Sequence, residues 1–153
     1  MTEEKDRATL VVTHKFSLPP ERVFDAFLDA KIARLFLFAT PTGEMVVAEA
    51  DPRVGGSFTF TDRRPGIGDV RHVGEYLELD RPRRIVFRLG VPQFFPGTTI
   101  VTIEIKSEAT GCELTLTHEG ILPDHLDGAM TGWKSILASV ESAYENVQSA
   151  GWR

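Results

Sequence analysis

PDHLDGAMTGWKSILASVESAYENV, residues 123–147, is the longest stretch of the chain with helical periodicity. At 100° per residue, Leu126, Ala129, Met130, Trp133, Ile136, Leu137, Val140, Ala143, Tyr144 and Val147 fall in one sector, and Asp127, Lys134, Glu141 and Glu145 fall opposite it. The spacing predicts one long helix with a single buried face. Such a face needs a surface to cover it, and the residues upstream supply one as strands.

From Thr9 to Leu18 the residues alternate, with Leu10, Val12, His14, Phe16 and Leu18 on one side, which reads as a half-buried strand. Pro19-Pro20 ends it. Pro20 and Glu21 suit the first turn of a helix, where a missing N–H is harmless and a carboxylate faces the positive end of the dipole. Val23, Phe24, Phe27 and Leu28 recur at helical spacing, and a second short helix is expected over Ala30 to Phe36.

Six strands follow: Glu44 to Ala50, Gly56 to Thr61, Val70 to Leu79, Arg84 to Leu89, Thr98 to Lys106 and Cys112 to His118. Gly55-Gly56 marks a tight turn or bulge, and Gly66-Ile67-Gly68 is a hairpin signal. Most connections are too short for a parallel crossover, so the sheet is antiparallel. The class is α+β: strand, two helices, six strands, long helix, in one domain over residues 1–153, with flexible ends at 1–8 and 149–153.

A chain of 153 residues buries enough surface to hold a core without staples. Ten Phe against two Tyr and two Trp suit a wide, dry interior, because Phe fills space without a hydrogen bond. The net charge of −5 and the carboxylates interleaved among the arginines between Arg53 and Arg88 argue against nucleic acid. No apolar run approaches a membrane span and no signal peptide opens the chain, so a cytoplasmic location is expected. Cys112 stands alone, excluding an internal disulfide, and has no basic neighbour to activate it.

Several segments together resemble the START-like (SRPBCC) superfamily, and within it the AHSA-like family, homologues of the activator of the heat-shock-protein-90 ATPase. They are PPERVFDAF (19–27), DPRVGGSF (51–58), GEYLELDRPRRIVF (74–87), TTIVTIEI (98–105) and Gly132-Trp133. Where family members carry tryptophan near the end of the second helix, this chain has Phe36 and Phe38. The resemblance implies a helix-grip fold, a curved antiparallel sheet wrapped around the C-terminal helix with a cavity between them. It also implies an association with the stress response.

Candidate ligand-binding residues are then Phe36 at the end of the second helix, Phe58 and Phe60 on one strand, His72 and Tyr76 on the next, and Phe87 beyond. Met130, Trp133 and Leu137 join them from the long helix. Phe94 and Phe95, between prolines and glycines, form either a lid or a contact surface. His14, His72 and His118 follow the inward phase, and an imidazole there needs a partner. His72, His118 and Tyr76 are the candidate acid–base groups. The histidine spacing matches no local metal motif, so neither a metal nor another cofactor is expected.

The favoured function is a binding module for a hydrophobic small molecule of lipid, polyketide or aromatic type. The alternatives are a cyclase- or hydrolase-type enzyme and a protein-interaction module regulating a chaperone or other partner. A monomer or homodimer suits any of them.

Overall fold

The alternation of residues 9–18 becomes β1 (Ala8–Phe16), and Pro19 turns the chain into α1 (Pro20–Leu28). Asp29 then caps α2 (Ala30–Ala33) through a hydrogen bond from the Lys31 N–H. Six strands follow in the computed structural model, which describes residues 7–149: β2 (Glu44–Ala50), β3 (Ser57–Arg64), β4 (Gly68–Asp80), β5 (Arg84–Gly90), β6 (Thr99–Glu108) and β7 (Gly111–Ile121). The terminal stretches expected to be flexible lie almost wholly outside the described residues. Of those within, Ala8 already pairs with Ile121.

All neighbouring strands are antiparallel, in the order β1-β7-β6-β5-β4-β3-β2. β1 and β2 therefore lie at opposite edges, and the two short helices connect them. A 3₁₀ turn (Pro123–His125) leads into α3 (Leu126–Ala138), and α4 (Val140–Ser149) continues it. The long helix of the sequence is thus interrupted at Ser139. Its hydroxyl donates to the Ser135 carbonyl, and its N–H bonds back to Ile136, a local alternative to regular helix bonding.

The core lies between the sheet and this helix. Val101, Ile103, Leu114, Leu116, Leu137 and Val140 are completely buried. Phe58 sits at the centre of an aromatic group, 5.2 Å from Phe87, 5.4 Å from Tyr76 and 6.0 Å from Phe60 between ring centroids. Gly55 has φ +86°, which favours glycine, and the Gly55-Gly56 turn holds Tyr76 by two backbone hydrogen bonds of 2.9 Å.

Most of the arginines near turns stand on the outside, as their setting implies, and pair with carboxylates. Arg81 makes a two-point contact with Asp25 of α1, and Arg84 bridges Glu78 and Glu104. Such exposed pairs each contribute about 0–1 kcal/mol. Arg64 is the exception. It continues the inward phase of Phe58, Phe60 and Asp62 along β3, and its side chain is mostly covered.

Gly74 lies opposite Phe58 in the β3–β4 register. A Cβ there would collide with Phe58 Cζ and with the Arg88 carbonyl, and a backbone oxygen cannot move aside as a side chain can. Gly74→Ala is expected to destabilise the fold by about 1–3 kcal/mol, the range for overpacking. Urea unfolding of the variant checks this.

Candidate functional site

A cleft of about 550 Å³ opens between α3 and one end of the sheet. Its helix wall carries Gly128, Gly132, Trp133 and Ile136; the facing wall carries Phe38, Arg64 and His72; Val91, Phe94 and Phe95 line it from the β5–β6 loop. A Cβ built on Gly128 or Gly132 meets nothing within 4 Å, so both glycines border open space.

Trp133 fixes the floor. Its indole N–H donates to His118 Nδ1 at 3.0 Å, and His118 Nε2 lies 2.7 Å from the Thr99 hydroxyl. Because Nδ1 accepts, the ring is the neutral tautomer with its proton on Nε2, donated to Thr99. Burial pushes the His118 pKa down to about 4.

Phe38 forms the opposite side. It takes a left-handed backbone conformation, φ +62°, which is unusual for a bulky residue. The ring lies nearly parallel to His72, with centroids 4.3 Å apart, and edge-on to Trp133 at 5.8 Å. His72 Nδ1 is 3.3 Å from the Phe60 carbonyl. Donation from Nδ1 leaves Nε2 as an acceptor. The His72 pKa falls to about 4, chiefly through burial and then through the Arg64 charge, against opposing effects of the Phe60 and Val70 backbone and Asp62.

Behind Phe38 stands a buried ion pair. Arg64 Nε–H donates to Asp62 Oδ2 at 3.0 Å, Arg64 Nη2 donates to the Phe38 carbonyl at 3.3 Å, and the Thr40 hydroxyl donates to Asp62 Oδ2 at 2.8 Å. Asp62 is 1% exposed, and its Oδ1 has no hydrogen-bond partner among the described residues. In sequence Arg64 flanks the Gly66-Ile67-Gly68 turn, a setting that suits a solvated arginine; its alternation phase, continuous with Phe58 and Phe60, is the signal that locates it.

The structure brings together His72, Phe94, Phe95, His118 and Trp133 of the expected site residues. It does not bring in the others. Phe58, Tyr76 and Phe87 border a separate void of about 10 Å³, too small for a ligand, and Phe36, Phe60 and Leu137 are core residues. Met130 is partly buried against the core. The expected cavity touching Trp133 together with two of Phe58, Phe60, Tyr76 and Phe87 is therefore not what the sheet encloses: those rings fill one another's space, and the opening lies nearer the sheet's end.

Of the paired phenylalanines, Phe95 turns in toward the core and lies 5.9 Å from the His125 ring, whereas Phe94 is 49% exposed. Gln93 holds this loop to β4 by accepting from the Arg71 N–H and donating to the Asp69 carbonyl.

The remaining candidates lie elsewhere. His14 packs beside Phe16 on β1, 4.5 Å between centroids. Tyr76 is buried, its phenol pushed up to about 12 by desolvation and by Asp51. Cys112 is buried as well, its thiol raised to about 11 by desolvation and by Glu108, Glu141 and Glu21. Among the described residues no three His, Cys, Asp or Glu side chains converge as a metal site, and no helix is long and apolar enough to cross a membrane.

The sequence pattern of the family described as activator of Hsp90 ATPase homolog 1-like protein matches residues 17–145. The chain belongs to that family. Among solved structures it is similar to a protein from Chromobacterium violaceum, at 28% identity over 88% of this chain and 94% of that one, with a TM-score of 0.77. It is also similar to an Hsp90 activator from Plasmodium falciparum, at 26% identity over 90% of this chain and 96% of that one, with a TM-score of 0.68. An AHSA1-like protein from Aeromonas hydrophila shares the fold at 20% identity, 95% and 96% coverage and a TM-score of 0.77. No curated protein matches the chain significantly. The family's helix-grip fold is the one observed, a curved antiparallel sheet against the C-terminal helix.

The two neutral histidines make stability depend on pH. Between pH 6.5 and about 4 the unfolded chain binds protons on both imidazoles while the folded protein does not, so stability is greatest above 6.5 and falls with pH through this window. Each shift corresponds to on the order of 3 kcal/mol. Urea midpoints are expected to drop between pH 7 and pH 4.5, and to drop less in H72Q/H118Q, in which neither position titrates.

Proposed function

We propose that this protein is a binding module that holds an apolar small molecule in the cleft between α3 and the end of the sheet. The cleft itself carries the reading. Its volume of about 550 Å³ falls within the range of small-molecule sites, roughly 300–1,000 Å³, and its walls are mainly apolar with a few polar groups. Glycine at a helix interior costs about 1 kcal/mol relative to alanine, and Gly132 gains no close packing in return. Open space beside the indole is what it provides. His72, Phe94, Phe95 and Trp133 contact the ligand in this reading, with Phe38 as the aromatic wall opposite the helix.

An acid–base enzyme has less support. Both His118 nitrogens are engaged, Tyr76 lies away from the cleft, and among the described residues His72 is bonded to a backbone carbonyl and to no ionisable side chain. Regulation of an Hsp90-type chaperone is favoured by the likeness to the Plasmodium activator. Stimulation of the host's own Hsp90 ATPase by the purified protein tests that role, and it does not require the cleft.

Native mass spectrometry of protein purified from its own host is expected to show a retained small molecule. For a defined probe, 2-naphthalenemethanol is expected to bind by calorimetry, and Gly132→Leu to weaken it at least about tenfold, roughly 1.4 kcal/mol, with the fold kept. Gly132→Ala is expected to fold and bind. Unchanged affinity in Gly132→Leu would place the ligand elsewhere.

A further inference from the structure

We infer that the ligand of this cleft is an apolar carboxylic acid whose carboxylate binds Arg64. The inference rests on the binding-module reading and adds the chemical class of the ligand.

Three observations point this way. Arg64 lines the cleft, and its side chain is 20% exposed while that of Asp62 is 1% exposed. The pair therefore presents its cationic member to the cleft and keeps its anionic member inside. The guanidinium has five N–H groups, and its hydrogen bonds use Nε toward Asp62 and Nη2 toward Phe38. N–H groups remain for a further acceptor, and the two existing bonds hold the planar fork in place. Carboxylates are the acceptors whose geometry such a fork matches.

The rest of the wall agrees. Thr40 lines the same end, but its hydroxyl is committed to Asp62. Asp124, in the 3₁₀ turn that also brings His125 to the lining, disfavours an anion beside it. Between them lie Phe38, Trp133, Leu89, Val91 and Ile136, which offer nothing to a charge and cover an apolar body. The resulting ligand has its acid at Arg64 and its hydrocarbon or aromatic part running along α3 toward the 3₁₀ turn. Binding inside a partly dehydrated cleft strengthens the charge-assisted contact relative to one in open water.

Calorimetry with a matched pair, 2-naphthoate and 2-naphthalenemethanol at pH 7.4, tests this. Both share one ring system and differ in the polar end. The acid is expected to bind at least tenfold more tightly than the alcohol, and R64Q to abolish the difference by weakening the acid alone. R64K, which keeps the charge without the fork, is expected to retain part of it. Should R64Q unfold because Asp62 is left buried without its cation, D62N/R64Q removes both charges together and serves the same comparison. Equal binding of acid and alcohol overturns the inference and leaves the cleft reading standing. A preference for the acid that survives loss of Arg64 overturns it too. Binding of neither compound counts against the cleft reading and the inference together.

Discussion

A buried indole N–H without an acceptor costs about 1–3 kcal/mol, and meeting that requirement sets how the last helix sits on the sheet. Trp133 is 4% exposed and meets it at His118 on β7, whose other nitrogen bonds Thr99 on β6. One chain of hydrogen bonds thus joins α3 to two adjacent strands. With Trp133 turned down, Gly132 and Ile136 beside it face the cleft, while Leu137 and Val140 go into the core. Burial keeps His118 neutral and the same bonds leave it no free nitrogen, so its role is to position the tryptophan.

The opposite wall depends on a less comfortable arrangement. A non-glycine residue held in the left-handed region costs of order 1–3 kcal/mol, and Phe38 is held there by what surrounds it. Its ring lies against His72 and Trp133, and its carbonyl accepts from Arg64. These contacts offset the strain. They also couple the aromatic wall to the ion pair: moving Phe38 disturbs the guanidinium, and moving Arg64 frees the Phe38 carbonyl.

Element order, antiparallel pairing and the buried face of the last helix were all legible, because each follows from a period of 2 or 3.6 that local sequence carries. The break at Ser139 was not, since a serine hydroxyl bonds either to water or to the preceding turn according to its surroundings. Alternation also says which face of a strand a residue occupies without saying which end of the strand the helix leaves uncovered. Phe58, Tyr76 and Phe87 do face inward, but Tyr76 pairs with Phe87 across β4 and β5, and Phe58 covers Gly74, so these rings close on one another. His72, four residues before Tyr76 on the same face, is the one that reaches the opening. Asp62 and Arg64 had the right phase as well; their charge concealed it.

That concealment bears on function. Apolar residues at the last two inward positions of β3 would continue the face begun by Phe58 and Phe60, and replacing a buried ion pair by packed apolar groups is often neutral or stabilising. Asp62 additionally keeps an oxygen buried with no hydrogen-bond partner among the described residues. Beyond the bonds that the pair makes to Phe38 and Thr40, stability gives little reason for it. The strained Phe38, the neutral His72 and the Asp62–Arg64 pair occupy the same end of one cleft, and departures from local preference are expected to gather where a protein binds something. On the proposed reading, a ligand group that accepts from the remaining guanidinium N–H groups supplies the return that packing alone does not.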